Sequence, residues 1–111
     1  MNYVDKIVIA KDFTEAPGAR YRADGPKSGQ EFLEEMLRPK FKVAVEAGGI
    51  LLVDMDGAWG YASSFVSGSF GTLAREFTSP IVHKHLSLKS EEDPILLEKV
   101  NAEIDSEGDG A

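Results

Sequence analysis

The sequence predicts an α/β fold: a mixed, mainly parallel β-sheet flanked by three or four helices. Two observations carry this. Short β-branched runs alternate with longer segments whose apolar residues recur at steps of three and four, the order that builds strand–helix–strand units. The stretch "GILLVDMDG" is apolar on both alternations for four residues, as in a central strand covered on both faces. The length of 111 residues and 42% hydrophobic content suit one domain whose core needs no staples, and there is no cysteine to supply one. A domain over residues 1–105 and an acidic flexible tail over 106–111 are expected.

The elements follow in order. "KIVIA", residues 6–10, reads as a buried strand. Turn chemistry around Pro17 and Gly18 leads to "ARYRA", residues 19–23, whose alternation suits a half-exposed second strand, and "DGPK" closes a further turn. Ser28 and Glu31 stand at capping-box spacing, so the serine can accept a free helix N–H while the glutamate returns to the serine amide. Phe32, Leu33, Met36, Leu37, Phe41, Ala44 and Val45 then form a core-facing stripe. Pro39 predicts a kink or restart near Arg38, and Gly48-Gly49 ends the helix. Residues 50–56 are the central strand, "GAWGYA" is a turn, and residues 63–77 are a second helix. "PIVHKHLSLK" reads as another strand, with Pro80 where no ladder donor is needed. Asp93 and Pro94 fit N-cap and N1 of a last helix that buries Ile95, Leu96, Leu97, Val100 and Ile104.

The net charge of −7 sits entirely in residues 91–111, where eight acids face Lys99; residues 1–90 are neutral. That is a solvated acidic end, or one drawn to a basic partner. No basic patch suits nucleic acid, and none is expected as a partner. No apolar run reaches the roughly 20 residues of a membrane helix. "MNYVDKIVIAKDF" lacks the features of a signal peptide, so no membrane role and a cytoplasmic location are expected.

The second helix carries two stripes. Val66, Phe70, Leu73 and Phe77 face the sheet; Ser64, Gly68, Gly71 and Arg75 lie about 200° away. Glycines in a helix interior cost roughly 1 kcal/mol each relative to alanine, so something must press closely on that bare stripe. Either a partner protein docks there, through Ser63, Ser64, Ser67, Gly68, Gly71 and Arg75, or a neighbouring segment of the same chain packs on it.

The strand, "DMDG", a short aromatic turn and "ASSF" resemble the sulfate-transporter and anti-sigma-factor-antagonist (STAS) domain. More closely, "PGARYRADGPKSGQEFLEEMLRP", "VDMDG" and "SSFVSGSFGTL" resemble STAS-like domains of unknown function, over residues 7–97. The resemblance implies a STAS-like sandwich and a regulatory protein–protein role. In partner-switching STAS proteins a histidine-kinase-type ATPase phosphorylates a serine in an Asp-Ser-Ser-Gly motif at this helix start. The matching positions here are Ala62, Ser63, Ser64 and Phe65, which lack both flanking signatures and leave Ser64 as the position to be modified. A phosphate there would place negative charge at a helix N-terminus and alter a contact surface without refolding it.

Other chemistry-bearing residues are sparse. Arg20, Arg22 and Lys27 near the Ser28 helix start form a weak anion-binding candidate without either phosphate-loop glycine spacing. His83 and His85, two apart on the expected strand, lack a third metal ligand nearby. Asp54 and Asp56 follow the central strand, where paired acids hold magnesium or simply make a turn. No catalytic residues, metal or cofactor are expected. The function read from the sequence is a non-catalytic module binding a protein partner, an ATPase of the histidine-kinase type or a second copy of itself. The alternative is a small acidic inhibitor whose last helix and tail occupy a basic groove.

Overall fold

A computed structural model describes residues 3–109. Three strands, β1 (Tyr3–Val8), β2 (Ile50–Asp54) and β3 (Leu86–Lys89), form one sheet in the order β1-β2-β3, with both neighbouring pairs parallel. β2 is central, as its apolar run requires. The register aligns Ile7 with Val53 and Val53 with Leu88, and Leu51 with Leu86, so these residues share the face that meets the helices. Leu51 and Val53 are fully buried while Ile50, Leu52 and Asp54 are only half-buried. Coverage of both faces, expected from the sequence, is therefore not found. Parallel crossovers are almost always right-handed, and two of one hand stepping the same way across a sheet put their helices on the same face, which accounts for the one-sided burial.

The first long helix spans residues 29–46. Ser28 caps it as expected, accepting from the Glu31 N–H at 3.0 Å, but Glu31 Oε1 takes the Lys27 N–H rather than that of Ser28. The kink or restart expected near Arg38 takes the form of a π-helical turn (Leu33–Leu37), after which the α-helix resumes at Arg38; Leu37 and Arg38 keep helical φ/ψ, so the helix is not broken. Proline neither donates to the carbonyl four residues back nor tolerates it nearby; a wider turn just upstream relieves both demands. The second helix spans residues 63–77 and holds a π-helical turn of its own (Ser67–Gly71).

Two expected strands are corrected. Residues 19–21 are loop and Arg22–Asp24 a single 3-10 turn, fastened where Gly29 and Gln30 N–H donate to the Ala19 and Arg20 carbonyls. The alternation in the sequence has no counterpart in burial: Ala19 is half-buried, and Arg20, Tyr21, Arg22 and Ala23 are all exposed. The stretch from Pro80 begins as a helix (Ser79–His85), and only Leu86–Lys89 is strand. Proline suits a helix first turn as well as a strand start, and Val82 and His85, three apart, supply one buried helical face.

The last helix (Pro94–Asp109) buries Leu96, Val100 and Ile104 against the second helix, while Ile95 is exposed. Residues 106–109, expected in a flexible tail, are helical, with Gly108 against Ser79; residues 110–111 lie outside the described residues. A single cluster holds the buried apolar residues, with Phe32, Phe41, Phe65 and Phe70 fully enclosed. Among the described residues no helix is long and apolar enough to cross a membrane.

Candidate functional site

The small-residue stripe of the second helix is covered by this chain itself. Gly68 is buried beneath Arg20, whose carbonyl oxygen and Cγ would lie 2.7 and 3.0 Å from an added Cβ. Gly71 lies beneath Glu103 and Glu107 of the last helix. Of the two occupants weighed for the stripe, the neighbouring segment is the one present, so Gly68 and Gly71 are corrected from contact surface to internal helix packing. Arg75 pairs with Glu107 at 3.0 Å and donates to Thr72 Oγ1, while Ser67 is half-buried. Ser63 stays exposed on the first turn and Ser64 is half-buried beside it.

The anion-binding candidate does not assemble. Arg22 forms ion pairs with Glu34 and Glu35, Lys27 lies 4.9 Å over the Phe13 ring, Ser28 is buried as a cap, and Arg20 lies over Tyr21. His83 and His85 diverge on their helix. His83 Nε2 lies 2.7 Å from Asp105, whereas the buried His85 Nδ1 lies 2.7 Å from the Gly49 carbonyl. No group of three metal-ligating side chains occurs among the described residues.

What remains lies where the carboxyl ends of β2 and β3 meet, the edge at which open parallel sheets commonly place their sites. Asp56, just past β2, has its carboxylate occupied: it accepts from Ser90 Oγ at 2.8 Å and from the Glu91 and Glu92 N–H groups at 2.8 and 3.1 Å. These bonds, the Glu91 amide first, hold its carboxyl below the usual carboxylate range. Glu92 returns the tie by accepting from the Gly57 N–H at 2.8 Å. Asp56 is thus a clamp between two loops. Its depressed folded value means that the stabilisation is present at neutral pH and lost as protons bind. The stability difference between wild type and Asp56→Asn, followed by urea unfolding at a series of pH values, is expected to be full at neutral pH, to begin shrinking near about 4, and to be lost only as the pH falls through the lowered folded value.

The clamp shapes the loop "DGAWGYA". Gly57 adopts φ +91°, and the chain leaves with Trp59 84% exposed. Tyr61 turns inward and donates its hydroxyl to the Met55 carbonyl at 3.0 Å. Burial, and then the nearby Asp54, Asp56 and Glu92 charges, push that hydroxyl well above the usual phenol range. Behind Trp59 lies a cavity of about 260 Å³ bounded by Met55, Tyr61, Ser90, Asp93 and Lys99. A second, of about 150 Å³, shares Tyr61, Leu96 and Lys99 with it and reaches Ser63. The two form a groove from Trp59 to the exposed start of the second helix.

Residues 28–96 match the family model described as the STAS-like domain of unknown function (DUF4325). The match takes in more than half of the 111 residues, from the Ser28 cap through β2, the second helix and β3 to Leu96. The chain belongs to this family. The STAS-like assignment read from the "VDMDG" and "SSFVSGSFGTL" motifs therefore holds, and it supports the α/β architecture in general terms. Among the curated proteins and among the solved structures nothing matches. Within the STAS-like domain, the walls of the groove from Met55 to Leu96 fall inside the matched stretch; Lys99 and Glu103 lie beyond it. Sequence reasoning found the helix start at Ser63 but passed over Trp59. The available signal was a lone tryptophan between turn glycines, a position with nothing to bury it.

Proposed function

We propose that this STAS-like domain is a non-catalytic regulatory module that binds a protein partner through the Trp59 groove and the first turn of the second helix. The observation that carries the reading is an indole 84% exposed at the rim of a cavity, on loops held in place by the Asp56 clamp. A large exposed aromatic on a rigid platform is the usual energetic centre of a protein interface. Ser63 borders the groove and the half-buried Ser64 follows it on the same turn, so both stay in the proposed contact surface, whereas Gly68 and Gly71 leave it. In its sharper form the partner is an ATPase of the histidine-kinase type that modifies this helix start. Exposure favours Ser63 over Ser64 as the acceptor, a distinction that intact-mass and fragment measurement after incubation with kinase and ATP reads directly.

The test places a photo-reactive amino acid at position 59, identifies what crosslinks in extract of the native cell, and measures binding of that purified partner. Trp59→Ala is expected to leave the unfolding midpoint unchanged and weaken binding roughly tenfold or more. Equal affinity of Trp59→Ala and wild type for that partner would overturn the reading. The acidic last helix is less available as an inhibitory arm. Glu103 and Glu107 cover Gly71, and Asp105 accepts from Ser79 Oγ and lies beside His83.

A further inference from the structure

The walls of the Trp59 groove are unevenly charged. Glu92, Asp93 and Glu103 line its two cavities against the single cation Lys99. Asp54 and Asp56 add to this, being close enough to disfavour a negative charge on the Tyr61 oxygen. These carboxylates are held by local bonds: Asp93 Oδ1 accepts from the Leu96 N–H and Glu92 from the Gly57 N–H. Neutral N–H partners satisfy the oxygens but do not cancel the charge; Lys89 acts on Asp56 and Lys99 lines the cavity, so five carboxylates face two lysines and the field beside Trp59 stays negative. A tryptophan face attracts cations more strongly than other aromatic rings, and guanidinium also stacks on it.

We infer that the segment docking in this groove is basic, with an arginine side chain laid over the Trp59 indole and its charge turned toward the Glu92–Asp93 wall. The inference rests on the partner-binding reading above and adds the chemistry of the partner. Arginine fits better than lysine because its flat guanidinium stacks while its edge N–H groups still reach carboxylates. Lys99 also lines the cavity and would repel a cationic segment, so the arginine belongs at Trp59, Glu92 and Asp93 and away from Lys99.

Trp59 is the only tryptophan in the chain, so its fluorescence reports on this site alone. The probe is a short Gly/Ser peptide carrying two arginines, compared with versions carrying citrulline, lysine or glutamate instead. Saturable quenching by the arginine peptide is expected. The citrulline peptide, equal in shape but uncharged, is expected to bind about fivefold or more weakly. Salt at about 0.5 M should suppress the arginine signal. Asp93→Asn keeps the helix cap while removing its charge and should weaken the arginine peptide severalfold at low salt. Equal affinity for citrulline, preference for the glutamate peptide, or no saturable signal from arginine would overturn the inference. If the crosslinked partner still needs Trp59 while the peptide series shows no charge preference, partner binding stands and only the basic chemistry falls.

Discussion

Phe32→Ala is expected to lower the unfolding free energy by about 4 kcal/mol, the upper part of the range for deleting a buried aromatic ring. Phe32 is fully buried in the first long helix, and its ring centroid lies 5.2 Å from Phe13, 5.9 Å from Phe65 and 6.1 Å from Phe70. Phe13 follows the one-turn helix (Ile9–Asp12) after β1, while Phe65 and Phe70 belong to the second helix. One ring therefore joins three parts of the chain, and its neighbours are anchored on different backbones and cannot converge to fill the space. Both the transfer term and the cavity term apply in full. Phe32→Leu, which keeps most of the volume, should cost less than half as much. Urea unfolding with an unchanged m-value is the measurement. A loss near 1 kcal/mol for the alanine variant would mean that the aromatic cluster is not the centre of the core.

The elements with one strong, local cause were legible in the sequence. The apolar run at β2, the Ser28 cap and the Asp93–Pro94 start of the last helix each rest on chemistry within a few residues. Where two structures suit the same pattern, the reading failed. Residues 19–23 alternate as a strand would, yet the loop follows from backbone bonds to Gly29 and Gln30, which lie outside any local window. Pro80 suits either a strand or a helix, and burial of Val82 and His85 on one helical face decides it. The site followed the same rule. A helical wheel locates Gly68 and Gly71 on one stripe but says nothing of what covers it, because Arg20 and Glu103 come from distant segments. Trp59 gives no periodic signal at all. Its exposed position rests on loops clamped by Asp56, a carboxylate that reads in the sequence as ordinary turn chemistry.

Gly29→Ala is expected to destabilise the fold by about 3 kcal/mol, against the stabilisation that helix propensity alone would give. Gly29 opens the first long helix where that helix crosses the second. A Cβ there would collide with the Phe65 carbonyl oxygen and lie 3.1 Å from the Gly68 carbonyl carbon and the Ser69 nitrogen. All three obstacles are backbone atoms, so no rotamer change relieves the contact and the helices must separate. Separation loosens the Phe32–Phe65 pair a turn away, which adds lost packing to the overlap. Gly68→Ala meets the Arg20 carbonyl at 2.7 Å, an oxygen that the Gln30 N–H already holds, so it too should lose stability, though less than Gly29→Ala because the overlap is smaller. Gly60→Ala is the control: nothing lies within 4 Å of its added Cβ, so its stability should stay within about 0.5 kcal/mol of wild type. Thermal or urea unfolding of the three variants ranks them. A Gly29→Ala variant as stable as Gly60→Ala would show that the two helices do not touch at this point.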